Sequence, residues 1–160
     1  MIKLYKDQDG KKVYWEAWDN GDGDFTIHSG ELGELGTSEI VKSSLFKRAE
    51  KKVERAIVEK KSEGFQELDP EAECTLLIEY AVDGFGNEKD IEKRHALEDR
   101  MNETLGWVGV GHCDGGSIGS GTMEVCCYVV DFDLAKKVIE RDLAGSEFAD
   151  YTRIYDESLS

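Results

Sequence analysis

The order of strand-like and helix-like segments after residue 70 constrains the fold of this chain more than any other feature. Segments rich in β-branched and aromatic residues favour strands, and apolar residues at helical spacing followed by a glycine favour helices. The predicted elements are a strand at 74–82, a helix from 87 or 88 to 105, strands at 107–113 and 122–130, a helix after Asp131 or Asp133 that Gly145 ends, and a strand at 151–155. The sequence therefore predicts the order β-α-β-β-α-β.

This β-α-β-β-α-β order is typical of the ferredoxin-like arrangement, also called split βαβ. Crossovers between parallel strands of one sheet are right-handed, so both helices are expected on one face of a four-stranded antiparallel sheet. The sequence thus predicts an α+β sandwich over residues 72–160.

The first half of the chain predicts a smaller antiparallel sheet followed by one helix. Short alternating segments favour strands at 2–6, 11–18, 25–29 and 39–42. Apolar spacing favours a helix from Leu45 to about Lys61, with Ser43 or Ser44 as its N-cap. Pro70 is the only proline, and proline disfavours helix in the residue before it. We therefore predict two domains of an α+β chain, at 1–68 and 72–160.

The segment Ser29-Gly30-Glu31-Leu32-Gly33 lies between these strands, and the helix ends with KKSEGF at 60–65. With the strand order, these features resemble a WGR domain over residues 1–68. The family is named after Trp-Gly-Arg, followed by a hydrophobic residue and glycine. Both glycines match, whereas Ser29, or His28 with a one-residue slip, takes the tryptophan position and Glu31 the arginine position. The resemblance implies the fold, but Glu31 would repel the phosphate that arginine binds.

Charge is distributed unevenly along the chain. The sequence has 20 basic and 35 acidic residues, a net charge of −15, of which residues 70–160 carry −12. This excess disfavours nucleic acid as a partner, since phosphate backbones attract basic surfaces. No apolar run approaches the roughly 20 residues of a membrane span, and the chain does not open on an apolar signal segment. With four cysteines in no disulfide-scaffold spacing, we expect a reduced, cytoplasmic protein without a membrane partner.

The predicted strand at 122–130 has apolar residues on both faces. Met123, Val125, Cys127 and Val129 share one face, and Cys126, Tyr128 and Val130 share the other. The helices of a ferredoxin-like sandwich cover one face only. The other face is therefore expected to contact the first domain, a second copy of the chain or a protein partner.

The candidate binding residues lie around the hairpin that joins the strands at 107–113 and 122–130. We predict a flexible, glycine-rich loop over 114–121 that includes Gly115, Gly116 and Ser117. Such a hairpin places His112 opposite residues 123–125, where it can approach Cys126 on one face. His112, Cys113, Asp114, Cys126 and Tyr128 are the candidates for a small ligand or metal. A buried cysteine on a strand is more often a small apolar residue than a ligand or nucleophile.

The whole architecture resembles uncharacterised bacterial proteins that join a WGR-like module to a ferredoxin-like module. The segment GSGTMEV at 119–125 carries that resemblance most strongly. No catalytic residue, metal or cofactor is predicted. The sequence favours a non-enzymatic protein-interaction or regulatory module that binds a protein partner or forms a homodimer. The alternatives are a degenerate nucleic-acid-binding WGR protein and a small-ligand or metal binder at the His112-Cys113-Asp114 segment.

Overall fold

A computed structural model describes residues 1–44 and 48–159 of the chain, and within these ranges it has an α+β fold. The described residues form two antiparallel four-stranded sheets and three α-helices. The chain divides into two compact units, Met1–Asp69 and Pro70–Ser160. The predicted fold class is thereby confirmed.

The first unit is a four-stranded meander followed by one helix. Its elements are β1 (Ile2–Gln8), β2 (Lys11–Asp19), β3 (Phe25–Glu31), β4 (Thr37–Val41) and α1 (Ala49–Ser62). The strands pair in chain order, each antiparallel to the next. A two-residue turn at Asp9 and Gly10 joins β1 to β2, and both residues have positive φ, as a type I′ hairpin turn requires.

The core of the first unit lies between this sheet and α1. It consists of five buried side chains: Leu4, Trp15, Ala17, Val53 and Phe65. Helix α1 begins at Ala49, and the predicted start at Leu45 to Lys47 lies outside the described residues. Ser43 still contributes to the helix start, because its hydroxyl accepts a hydrogen bond from the Ala49 N–H at 3.1 Å.

The second unit contains β5 (Cys74–Ala81), α2 (Glu88–Gly106), β6 (Gly111–Gly119), β7 (Thr122–Val129), α3 (Phe132–Leu143) and β8 (Arg153–Asp156). Its sheet has the order β6-β7-β5-β8, and all neighbouring strands are antiparallel. This is the strand order of the split βαβ arrangement. The Asn87 side chain caps α2 by accepting from the N–H groups of Lys89 and Asp90.

The predicted loop at 114–121 is wrong, because most of it belongs to strand β6. The turn has only two residues, Ser120 and Gly121, with φ of 54° and 89°. A bulge at Asp114 and Gly115 adds one residue to β6 between its pairs with β7. Gly116 allows the backbones of β6 and β7 to approach each other closely, since an added Cβ would lie 2.1 Å from the Glu124 carbonyl oxygen. The glycines that predicted a loop therefore lie mostly in strand β6, where Gly116 permits close contact with β7.

None of the helices within residues 1–44 and 48–159 combines the length and apolarity needed to cross a membrane.

Candidate functional site

The two faces of the second sheet differ sharply in burial. On β7, the side chains of Met123, Val125, Cys127 and Val129 are completely buried, on the face that also buries the apolar residues of α2 and α3. The alternate residues of β7 are only half-buried. We call this second side the outer face; it includes Leu77, Glu79, His112, Ser117, Glu124, Cys126, Tyr128, Arg153 and Tyr155.

One half of the outer face is an ion-paired polar cluster. Arg153 binds Glu79 with Nη2 to Oε2 at 2.7 Å, and this pairing lowers the pKa of the Glu79 carboxyl. The Arg153 guanidinium also lies 3.9 Å from the centre of the Tyr155 ring. Tyr155 in turn donates its hydroxyl to Glu124. The sequence predicted an apolar outer face from β7 alone. That prediction is wrong here, because Glu79 of β5, Arg153 of β8 and Glu124 of β7 itself contribute charges.

The Tyr155–Glu124 hydrogen bond raises the pKa of Tyr155 to about 12, because the carboxylate stabilises the protonated phenol. Since the folded pKa exceeds the ordinary value of about 10, its stabilising contribution is complete below pH 10 and is lost as pH rises towards 12. We expect the Glu124→Gln variant to titrate Tyr155 at lower pH, in a tyrosinate absorbance titration with Tyr155→Phe as the reference. An unchanged titration would show that Glu124 does not hold this phenol.

The other half of the outer face combines an aromatic pair, a thiol and two carboxylates. We call it the Tyr128 patch and define it as His112, Asp114, Cys126, Tyr128 and Glu157. The rings of His112 and Tyr128 lie 5.6 Å apart. Burial is the largest cause that raises the pKa of Cys126, and the neighbouring Cys126 is the largest cause that raises the pKa of Tyr128. The negative charges of Asp114 and Glu157 contribute to both shifts. The Tyr128 patch is therefore an aromatic surface in a negative field.

The register of β6 against β7 separates the candidate residues predicted from the sequence. His112 lies opposite Tyr128, not opposite residues 123–125, because the hairpin turn has two residues. His112 and Cys126 do share the outer face, but Cys113 lies opposite Cys127 on the helix-covered face. The tripeptide His112-Cys113-Asp114 thus does not converge on one point.

Cys126 and Cys127 do not provide an activated nucleophile, and the residues at 1–44 and 48–159 hold no metal-binding cluster. Within the described part of the chain, no three His, Cys, Asp or Glu side chains cluster closely enough to hold a metal ion. A hydrogen bond with Cys113 and burial strongly raise the pKa of Cys127, and Cys126 is also shifted upward. Both residues are therefore thiols at neutral pH, whereas a cysteine nucleophile needs its thiolate.

The segment that resembles the WGR motif forms the end of β3 and the turn after it. Ser29 lies opposite Trp15, and Gly33 has a φ of 89°. Gly30 has no room for a side chain, since an added Cβ would lie 2.7 Å from the Gly36 Cα. Glu31, at the arginine position, forms an exposed ion pair with Lys11 at 2.8 Å. These residues shape a turn and present an acidic group where the family motif has a basic one.

A buried polar network in the first unit was not predicted from the sequence. Glu16 and His28 are only 5% and 1% exposed, and Glu16 Oε1 lies 2.7 Å from His28 Nδ1. Tyr14 Oη lies 3.2 Å from His28 Nε2, and Lys3 Nζ lies 3.5 Å from Glu16 Oε2. Burial raises the pKa of Tyr14. Because the three central residues are buried, the network stabilises the sheet rather than presenting a reactive group to solvent.

Comparison of the chain with protein families, with curated proteins and with solved structures found no match. The case for function therefore depends on the outer face and its charges.

Proposed function

We propose that this protein is a non-enzymatic interaction module that binds a basic, arginine- or lysine-containing segment of a protein partner at the Tyr128 patch. The observation that carries the proposal is the aromatic ring of Tyr128, half-buried on the outer face, in the electrostatic field of Asp114 and Glu157. A cation placed over such a ring is attracted by the ring and by both carboxylates.

The charge of the second unit supports a basic partner. Residues 70–160 carry 20 acidic and 8 basic residues, and complementary charge raises the rate and selectivity of association. Asp114 forms no ion pair with any cation in the described ranges, so its carboxylate is available to a partner. Asp114 lies in the bulge, two residues after His112, which is the residue opposite Tyr128.

The polar half of the same face offers an internal example of the proposed contact. There Arg153 stacks at 3.9 Å on Tyr155 and pairs with Glu79. The Tyr128 patch has the same two kinds of group that bind a cation, an aromatic ring and neighbouring carboxylates. A partner's arginine would supply the cation. Arginine suits this site better than lysine, because its planar guanidinium can stack on the ring and bind a carboxylate at once.

The proposal is tested by titrating a fluorescent peptide of alternating arginine and glycine with the whole protein at low and at moderate salt. We expect saturable binding that weakens with salt. Asp114→Asn should weaken it about fivefold, the upper range for an exposed ion pair. Tyr128→Leu should weaken it by a similar factor, about threefold to fivefold for an exposed cation–π contact.

The matched control is Glu140→Gln, which removes the same charge from the exposed surface of α3. Equal losses for Glu140→Gln and Asp114→Asn would mean that net charge alone attracts the peptide, and would contradict a site at Tyr128. Two other results would replace the proposal. They are self-association of the chain that Tyr128→Leu abolishes, and tight, salt-dependent binding of nicked or blunt duplex DNA that Asp114→Asn leaves unchanged.

A further inference from the structure

We propose that Cys113 and Cys127 form a reversible cross-strand disulfide, a redox modification site on the helix-covered face of the second sheet. This site is independent of the Tyr128 patch, which lies on the outer face of the same strands. The oxidant is a low-molecular-weight disulfide, and the proposal concerns which two of the four cysteines it joins.

The register of β6 and β7 places the two cysteines directly opposite each other. Hydrogen-bonded and non-hydrogen-bonded pairs alternate along an antiparallel ladder. The Val130 N–H donates to the Val110 carbonyl at 2.9 Å, so Val110 and Val130 form a hydrogen-bonded pair. Because the two kinds of pair alternate, the pair three residues further along β6, Cys113 with Cys127, is non-hydrogen-bonded. The Cys113 N–H donates instead to Asn102 Oδ1 in α2, at 2.9 Å.

A non-hydrogen-bonded pair brings its side chains closer together than the alternating pairs do. Its Cα atoms are about 4.5 Å apart, which falls within the range of about 4.4–6.8 Å that disulfides span. Both side chains point to the same face, where Cys113 is 7% exposed and Cys127 is completely buried. The adjacent Cys113 thiol also raises the pKa of Cys127. A disulfide here therefore needs no change of strand register.

The other cysteines lack such a partner. Cys126 points to the outer face, and Cys74 lies opposite Val129 on the helix-covered face. Within the pair, Cys113 is the more accessible thiol, because it is 7% exposed on the edge strand β6, whereas Cys127 is completely buried. The bulge at Asp114 and Gly115 also interrupts the pairing of β6 immediately after Cys113.

The exchange proceeds in two balanced steps. The Cys113 thiol loses its proton, and its sulfur attacks the disulfide oxidant to form a mixed disulfide and release one thiolate. Cys127 then loses its proton, and its sulfur attacks Cys113 Sγ and displaces the second thiolate. The two protons go to the two released thiolates. The protein is oxidised by two electrons, and one disulfide oxidant is reduced to two thiols.

The test is incubation of the full chain with oxidised glutathione at mildly alkaline pH, followed by intact-mass measurement, thiol counting and peptide mapping. We expect the mass to fall by about 2 Da and the count of four free thiols to fall by two, with peptides linked through Cys113 and Cys127. Dithiothreitol should restore all four thiols. Stable glutathione adducts, unchanged thiols or a different linkage would refute the pairing.

Two cysteine variants distinguish a Cys113–Cys127 disulfide from one that involves another thiol. Cys127→Ala should abolish the mass loss, whereas Cys126→Ala, a change at the adjacent residue on the opposite face, should preserve it. Near-ultraviolet circular dichroism checks that both variants are folded, and the peptide map of the unmodified sequence decides the linkage without any variant. A loss of peptide binding at the Tyr128 patch would not bear on these measurements, so the two proposals can fail separately.

Discussion

Replacement of Gly111 by alanine is expected to lower the free energy of unfolding of the second unit by about 3 kcal/mol, the upper range for overpacking of a filled interior. Gly111 is buried at the start of β6 and lies opposite Val129. An added Cβ would lie 2.2 Å from the Tyr128 carbonyl oxygen and 3.0 Å from the Val129 Cα. These neighbours are backbone atoms, so the clash is relieved only if β6 and β7 move apart.

Gly106→Ala is the matched control for this substitution. Gly106 is the last residue of α2, and an added Cβ would meet no atom within 4 Å. Because alanine has a higher helix propensity than glycine, this variant should be unchanged or slightly more stable, by about 0.5 kcal/mol. Urea unfolding followed by circular dichroism measures both variants. If Gly111→Ala were as stable as Gly106→Ala, the close approach of β6 to β7 would be wrong.

The strands and helices with strong periodicity could be predicted from the sequence. Strand β7 lies within the predicted 122–130, and α2 spans 88–106 against a predicted 87 or 88 to 105. Their burial is regular, so local pattern and tertiary environment agree. The sequence predicts a strand at 107–113, whereas β6 is found at 111–119, because a glycine-rich segment favours a loop on local pattern alone. Its glycines instead permit close contact between backbones, a tertiary requirement that no local pattern records.

The candidate site depended on turn length, which fixes strand register. A loop of eight residues was predicted at 114–121, whereas the turn has two residues and moves His112 opposite Tyr128. Counting residue pairs outward from a turn could also have predicted the Glu16–His28 pair. The segment NGDGD at 20–24 is a turn signal, and pairing outward from Asp19 and Phe25 brings Glu16 opposite His28. A glutamate that directly follows Trp15 within a predicted strand is the available signal.

Replacement of Glu16 by alanine is expected to destabilise the first unit by about 3 kcal/mol, because it leaves buried partners without their acceptor. Glu16 accepts from His28 Nδ1 at 2.7 Å and pairs with Lys3 at 3.5 Å. The other ring nitrogen of His28, Nε2, contacts the Tyr14 hydroxyl. That hydroxyl accepts a hydrogen bond from the Gly36 N–H at 3.0 Å. Loss of the carboxylate therefore removes the group shared by an ion pair to β1 and by a series of hydrogen bonds that extends to the residue before β4.

Two further variants identify the cause of this destabilisation. Glu16→Gln keeps an acceptor and nearly the same volume, so it should cost less, about 1–2 kcal/mol. Glu31→Ala removes a carboxylate from an exposed ion pair on the same sheet and should change stability little, since solvent already screens that pair. Urea unfolding with tryptophan fluorescence follows mainly this unit, because two of the three tryptophans, Trp15 and Trp18, belong to it and Trp15 lies in its core. If the Glu16→Ala and Glu31→Ala variants unfolded at the same urea concentration, the buried network would not stabilise the sheet.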